Sequence, residues 1–463
     1  MRILVLSHTT GYQLRAFNDA AAMLGIELVF ASDRCHKLDD PWQDHAVPVR
    51  FHEPSVSLNA IVDRHLHQRL DGLVAVGDRP VLLAALAANT LGLPWHPVLG
   101  ALASSDKRRS RAALAAAGLP APPFTVLSTS DSRDHGPQPT AHVSRPAILG
   151  PRRVHGPRST AHGPRITDHG SRPTDLDFPV VLKPVGLSGS RGVIRANDER
   201  EYADAFERIR ALMSRPEVRA SRTGLEDLIL VERYVDGREF AIEGVLTRGK
   251  LHVFAVFDKP DQLEGPFFEE TIYVTPAAVD PAVRALIVDH VARGAAALGL
   301  WHGPVHAECR VTARDEVFVL EIAGRPIGGL CSRVLTFRGA PGSTAGSACR
   351  SSLEAVLLRH AIGESIDGWE REPEAAAVMM VPIPARGLFK GVSGEEAARA
   401  VPGVSDLRMT AKIGQLLEPL PEAGSYLGFI FARAATAGDA ERAVREAHAR
   451  LKFEIASEIT VNR

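Results

Sequence analysis

The chain has 463 residues, more than one hydrophobic core usually supports, so about three domains of roughly 150 residues are expected. Hydrophobic residues make up 45%, charged residues 24%, and the formal net charge is -1. These values exclude a small scaffold held together by disulfides. They also exclude an overall positive charge that would attract nucleic acid or an anionic membrane. The four scattered cysteines fit a reducing compartment, and no run approaches the roughly 20 apolar residues of a membrane span. We therefore expect a cytoplasmic protein.

Lysine is scarce in this chain. Only eight of the 54 basic residues are lysines, and the others are arginines. Where arginine is the usual cation, a lysine inside a motif is informative, because its ammonium is compact and strongly hydrated. Lys107 and Lys183 are the two lysines that stand inside motifs.

The first hundred residues alternate short apolar runs with helical patterns, which is typical of a parallel sheet with crossover helices. The opening apolar run is too short for a signal peptide and is interpreted as a first strand. The loop after it lacks GxGxxG, so a dinucleotide site is not supported. Gly77-Asp78-Arg79 follows a later strand and is a candidate substrate-side loop.

Residues 130–176 carry three tandem heptads that start at His155, His162 and His169. Each heptad contains proline and almost nothing to bury, so a coiled coil is excluded. We predict a disordered insertion. Metal binding by the histidines or anion binding by the arginines is the alternative.

Order is predicted to resume at Asp177 with a buried strand that ends in Lys183 and a glycine-rich loop at 186–192. Glycines let backbone N–H groups approach a polyphosphate, serines add donors, and lysine neutralises charge. The segment is not a Walker A motif, because no Gly-Lys-Ser/Thr leads into a helix. A plain turn between two strands is the competing interpretation.

Two further segments can carry chemistry. Glu308 and Glu321 lie on adjacent predicted strands, where inward-facing carboxylates could bind one or two hard cations. Arg310 and Arg325 could instead merely pair with them. The segment VERYVDGREF, from Val231, suits a cleft edge that reads adenine and ribose, although an ordinary turn at Asp236-Gly237 is the better explanation of the segment in isolation.

Taken in chain order, these segments resemble the ATP-grasp superfamily. The segments RPIGG, GPFFEETIYVTP and AVGDRP and an extra C-terminal α+β region resemble its L-amino acid ligase, or carboxylate-amine ligase, branch. The resemblance implies an α/β and α+β protein with an ATP-grasp fold. The implied domains are a Rossmann-like domain at 1–100, an ATP-grasp body at 101–129 and 177–355, the insertion at 130–176, and a small α+β domain at 356–463. Within the body, a central lid lobe spans about 178–235 and a catalytic lobe about 236–355.

The resemblance also implies roles for individual residues. Lys107 and Lys183 match the lysines that contact ATP phosphates, and Ser188, Gly189 and Ser190 belong to the lid loop. Hinge, ribose, metal and catalytic positions complete the set: Glu232, Tyr234 and Val235 for adenine; Glu239 for ribose; Glu308 and Glu321 for metal; Arg325 for the transferring phosphate; and Gly328 and Gly329 for the acyl oxygen. Glu270 and Tyr273 match substrate-side positions, and Tyr12, Arg79 and Cys331 are further pocket candidates.

The implied activity is an ADP-forming ligation of a carboxylate to an amine through an acyl phosphate, with ATP and Mg²⁺, or Mn²⁺, as cofactors. The expected partners are small-molecule carboxylates and amines, and a homodimer is one option for the assembly. Two positions depart from the family pattern. Ala323 replaces a frequent asparagine near the metal, and Tyr273 replaces a histidine. Alternatives are a carboxylase or purine-pathway ligase, or a non-catalytic ATP-binding protein.

Overall fold

The structure is a computed structural model that describes residues 1–8, 12–33, 46–130, 176–339 and 350–457. Apart from its end residues 130 and 176, the predicted insertion lies outside the described residues. None of the helices in the described ranges is long and apolar enough to cross a membrane.

The N-terminal region is the predicted α/β layer. Its four-stranded sheet has the order β3-β2-β1-β4 and is parallel throughout. The elements are β1 (Arg2–Ser7), α1 (Tyr12–Leu24), β2 (Glu27–Ser32), β3 (Val47–Pro48), α2 (Pro54–His67), β4 (Gly72–Val76) and α3 (Pro80–Leu91). Every residue of β4 is buried, as expected for a strand covered on both faces.

A second, antiparallel sheet has the order β5-β8-β6-β7. The elements of this region are α4 (Val98–Ser105), α5 (Lys107–Ala116), β5 (Phe124–Ser128), β6 (Val180–Pro184), β7 (Ile194–Ala196), α6 (Glu199–Met213), α7 (Pro216–Arg219) and β8 (Leu228–Arg233). Asp106 caps α5 by accepting a hydrogen bond from the Arg108 amide, which places Lys107 at the first helical position. The predicted β6–β7 hairpin around the glycine loop is confirmed.

An eight-stranded sheet, β13-β12-β9-β10-β11-β17-β21-β19, runs through the rest of the molecule. Its first part contains β9 (Arg238–Thr247), β10 (Lys250–Lys259), β11 (Ile272–Thr275), α8 (Pro281–Ala297), β12 (Gly303–Val311) and β13 (Val317–Ala323). A 3₁₀ turn (Cys331–Val334), β14 (Thr336–Arg338), β15 (Arg350–Ser352), α9 (Leu353–Ala361) and β16 (Glu370–Arg371) follow.

The C-terminal elements complete that sheet and add a small one. They are β17 (Ala375–Val381), β18 (Gly387–Ser393), α10 (Glu395–Arg399), β19 (Val404–Met409), β20 (Leu416–Leu417), β21 (Gly428–Ala434), α11 (Ala437–Arg450) and β22 (Lys452–Ala456). Antiparallel pairing of β11 with β17 carries the large sheet across the domain boundary predicted near residue 355. The predicted catalytic lobe and C-terminal domain therefore share one sheet and one apolar core, in which Tyr273 and Ile327 lie with Met380 and Phe429.

Candidate active site

A cavity of about 430 Å³ is lined by residues of both the β5-β8-β6-β7 sheet and the eight-stranded sheet. All sixteen residues to which the family resemblance assigns a role line this one cavity. They are Lys107, Lys183, Ser188, Gly189, Ser190, Glu232, Tyr234, Val235, Glu239, Glu270, Tyr273, Glu308, Glu321, Arg325, Gly328 and Gly329. Their convergence from segments more than 200 residues apart is the main structural finding about this protein.

The glycine loop lies against Lys107. The Lys107 ammonium donates to the Leu187 carbonyl at 2.5 Å and to the Val185 carbonyl at 3.5 Å. Gly192 has a φ of +74°, and a Cβ there would lie 2.5 Å from the Pro184 ring, so only glycine fits this turn. Burial lowers the pKa of Lys107, although the charges of nearby acids act in the opposite direction.

Glu232 is the centre of a buried ion-pair network. Its carboxylate accepts from Arg111 at 2.8 and 3.3 Å and is also paired with Lys183. Burial raises the pKa of Glu232, but the positive charges of Arg111 and Lys183 outweigh burial and hold it at about 2. The carboxylate is therefore ionised and fixes Lys183 at the end of β6.

The predicted hinge is organised by Arg310. This guanidinium donates to the Val235 carbonyl at 2.7 Å and to the Glu239 carboxylate at 2.9 Å, and it lies 5.1 Å from the centre of the Tyr234 ring. Arg195 approaches the same ring at 4.1 Å. Arg310 thus pairs with Glu239, not with Glu308 as the simplest ion-pair interpretation of the sequence suggested.

Three acids surround the buried ammonium of Lys259. It donates to Glu239 at 2.8 Å, to Glu270 at 2.7 Å and to Glu308 at 3.0 Å. The Tyr273 hydroxyl donates to Glu270 at 2.9 Å and to Glu308 at 3.3 Å. Burial and the charge of Glu308 raise the pKa of Glu270 to about 7, although Lys259 opposes this shift. Burial also raises the pKa of Glu308, but Lys259 and His306 outweigh it and hold the value well below the ordinary range.

Glu308 and Glu321 are directly opposite each other in the β12–β13 register, as the sequence predicted. The side chain of Glu321 is about one third exposed and lies 3.8 Å from Arg325. Two carboxylates carried by opposed residues of neighbouring strands at a cavity wall are suitable ligands for a hard cation. Ala323, at the position where relatives often have asparagine, is buried opposite His306 and offers no side-chain oxygen.

Arg325 is held by the N-terminal domain. Its guanidinium donates to both carboxylate oxygens of Asp78, at 2.7 and 3.4 Å. Burial lowers the pKa of Arg325, but the charges of Asp78 and Glu321 outweigh burial and raise it. The loop 77–79 therefore contributes to the site, through Asp78 and its contact with Arg325.

A fully buried carboxylate, Glu243, fixes the loop that carries Gly328 and Gly329. It accepts from the Ile327 amide at 3.1 and 3.2 Å and contacts His306 Nδ1 at 3.2 Å. Burial lowers the pKa of His306, but hydrogen bonds to Glu243 and Glu308 outweigh it and raise the value to about 9. A chain of buried polar contacts thus joins Ile327 to Glu308.

The C-terminal part forms one wall of the cavity. Met380, Thr410, Ala411, Gln415, Gly424, Ser425 and Tyr426 line it. The loop before β21 also contacts the central lobe, since the Gly192 amide donates to the Pro421 carbonyl at 2.8 Å and Arg191 donates to the Glu422 carbonyl at 2.6 Å. Sequence reasoning found no catalytic cluster in this part and missed its contribution.

The further pocket candidates do not all lie at the cavity. Cys331 lines it. Arg79 instead contacts Asp33 at 3.6 Å and the Ser221 carbonyl at 3.4 Å. Tyr12 begins α1, but its side chain lies outside what the structure describes.

Sequence reasoning also missed five buried site residues: Arg111, Glu243, Lys259, His306 and Arg310. Lys259 had a usable signal, because it is one of only eight lysines and closes an apolar strand. Glu243 had another, since a lone acid inside the apolar run of β9 is expensive to bury without a partner.

Three stretches of the chain match known protein-family models. Residues 17–95 match the ATP-grasp N-terminal domain, residues 176–334 the ATP-grasp domain, and residues 379–456 the L-amino acid ligase C-terminal domain 2. An uncharacterized protein of Sinorhizobium fredii is 26% identical over 281 residues, which are 59% of this chain and 52% of that protein. Alanine–anticapsin ligase of Bacillus subtilis is 26% identical over 163 residues, 33% of this chain and 34% of that enzyme. The chain thus spans about half or less of the length of these curated relatives.

The fold can also be compared along its whole length. The crystal structure of an L-amino acid ligase from Bacillus licheniformis aligns with a TM-score of 0.75 at 23% identity, covering 98% of this chain and 99% of the other. This likeness confirms the predicted ATP-grasp fold. The chain therefore contains an ATP-grasp domain at residues 176–334 and has the fold of this L-amino acid ligase, whose branch it resembles.

Proposed function

We propose that this protein is an ATP-dependent ligase that joins a carboxylate, such as an amino acid or dipeptide, to an amine. The observation that carries the proposal is the single cavity lined by Lys107, Lys183, Glu308, Glu321 and Arg325. Cations and acids in one partly enclosed site are the groups that phosphoryl transfer requires, because catalysis there consists mainly of positioning and of stabilising charge.

The roles of the side chains follow from their charges. A substrate carboxylate attacks the γ-phosphate of ATP and forms an acyl phosphate and ADP. Lys107 and Lys183 bind phosphate oxygens, and Arg325 stabilises charge on the transferring group while Asp78 orients its guanidinium. The amine then displaces phosphate and forms the amide bond. The amides of Gly328 and Gly329 face the acyl oxygen, since Glu243 fixes the neighbouring Ile327 amide.

The acids fit the expected metal. Glu308 and Glu321 are opposite each other and would hold Mg²⁺ or Mn²⁺, which would neutralise phosphate charge when bound. No third oxygen ligand comes from Ala323, so we expect water or nucleotide oxygens to complete the coordination. The glycine loop between β6 and β7 would exclude water from the acyl phosphate, which is otherwise hydrolysed.

The substrate position of Tyr273 supports a distinct substrate choice. Its hydroxyl donates to Glu270 and Glu308. A phenol at this position does not offer the titratable imidazole that a histidine would place beside Glu270. We infer that the acceptor or acyl substrate differs from that of relatives with histidine there, while the phosphoryl chemistry is retained.

The test is ADP release in a matrix of amino acids and amines, followed by mass spectrometry of the product. Glu321→Ala should abolish turnover with an unchanged circular dichroism spectrum. Glu316→Ala, an exposed acid in the same hairpin, is the matched control and should be fully active. Wild-type turnover in Glu321→Ala would contradict the metal assignment.

The same assay decides between the alternatives. ADP formation that depends on bicarbonate or on a ribonucleotide, and needs no amine, would indicate a carboxylase or a purine-pathway ligase. Nucleotide binding without turnover across the whole matrix would indicate a non-catalytic ATP-binding protein.

A further inference from the structure

Lys259 has an unusual environment for a lysine, beneath the acids that line the candidate cavity. Its side chain is 2% exposed, and Oε1 atoms of Glu239, Glu270 and Glu308 lie between 2.7 and 3.0 Å from its ammonium. An ammonium has three N–H donors, so three carboxylates saturate it. Lys259 therefore has no donor left for a phosphate, unlike a lysine that serves as a nucleotide ligand.

The strand register explains why these groups meet. Lys259 at the end of β10 is opposite Glu239 on β9, and Glu239 is opposite Arg310 on β12. Glu308 is two residues from Arg310 on the same strand, so it projects from the same face of the sheet. Glu270 reaches the ammonium from the segment that precedes β11.

The three acids are also a potential metal site. One oxygen from each lies within 4.8 Å of the others, which is the geometry of a donor set for a hard cation. Three carboxylates this close together, one buried and two half-buried, would repel one another strongly without a cation. Some positive charge has to sit at their centre, and Lys259 provides it from within the chain.

We propose that Lys259 is a positioning residue that acts as a built-in cation. It holds Glu239, Glu270 and Glu308, the acids proposed to contact ribose, substrate and metal, around one ammonium. In the absence of nucleotide, it prevents a divalent cation from binding to this three-carboxylate cluster. The metal then binds on the Glu321 side of Glu308, where the nucleotide phosphates are expected. The roles of the acids rest on the proposed function, whereas exclusion of the cation does not.

The test is a Mn²⁺ titration without nucleotide, followed by the electron paramagnetic resonance signal of free Mn²⁺. Lys259→Met should gain one Mn²⁺ site per chain, with affinity at least about tenfold above that of the wild type, because a positive charge within about 4 Å is removed. Lys250→Met, an exposed lysine at the other end of β10, is the matched control and should gain nothing. The double variant K259M/E270Q should lose the gained site, which maps the ion to the cluster.

Two results would overturn the inference. One is a Lys259→Met protein that is folded by circular dichroism yet binds no more Mn²⁺ than Lys250→Met. The other needs no Lys259 variant: a Mn²⁺ site in the wild type that Glu270→Gln removes would mean that Lys259 does not exclude the ion. If the wild type has no ligase activity but the Lys259→Met variant still gains the Mn²⁺ site, the proposed function is contradicted and this inference is supported.

Discussion

Replacing Arg111 tests whether a buried ion pair builds the floor of the cavity. Arg111 lies on α5 and is 1% exposed, and its guanidinium binds Glu232 of β8 at 2.8 Å. Arg111→Met keeps the length of the side chain and removes its charge. Glu232 is then left with Lys183 as its partner, in a place where water cannot replace the lost hydrogen bonds.

The pKa of Glu232 gives the magnitude. Burial raises it, but Arg111 and Lys183 together lower it from an ordinary 4.5 to about 2. At about 1.4 kcal/mol per pKa unit, the two cations together contribute about 3 kcal/mol to the free energy of unfolding at neutral pH. Because the folded-state pKa is the lower one, this stability is present above pH 4.5 and is lost as the pH falls towards 2. We expect Arg111→Met to cost about 2–3 kcal/mol at pH 7 and to flatten that acid dependence.

The measurement is the urea dependence of amide hydrogen exchange in β6 and β8, because a chain of several domains does not unfold in one step. Arg109→Met is the control on the same helix. Its side chain is 59% exposed and lies 3.5 Å from Asp106, so its loss should cost less than about 1 kcal/mol. Equal exchange free energies in the two variants would refute the argument that Glu232 depends on Arg111.

Two further predictions concern contacts away from the candidate cavity. Glu418 binds Arg215 of the central lobe at 2.7 Å, so Glu418→Gln should weaken the contact between the C-terminal part and the central lobe by up to about 1 kcal/mol. Tryptic cleavage at Arg191, in the glycine loop that contacts the same C-terminal segment, should become up to about fivefold faster, and an unchanged rate would show that the pair does not hold the two parts together. Burial, with the charge of a stacked neighbouring histidine, lowers the pKa of His360 to about 3, so the folded protein should lose about 2 kcal/mol between pH 6.5 and 5. In amide hydrogen exchange of α9, which carries His360, His360→Gln should remove that loss and the exposed His67→Gln should not; identical pH profiles would contradict the assignment.

The sequence by itself predicted the local elements and the residues that line the cavity. A continuous apolar run that ends in a lysine and a glycine-rich loop predicts the β6–β7 hairpin, and alternating strands and helices predict the parallel N-terminal sheet. The spacing of Glu308 and Glu321 even predicts their register. These features depend on residues close in sequence or on a short turn, so pattern and propensity are sufficient to find them.

Only the tertiary structure decided which partners these residues have. Arg111 and Glu232 are 121 residues apart, and Asp78 and Arg325 are 247 residues apart. Which charges meet in a buried site depends on strand order and on the packing of separate domains, and neither leaves a local periodicity in the sequence. For the same reason, the sequence could not show that the C-terminal part closes the cavity or that Lys259 stands at the centre of three acids.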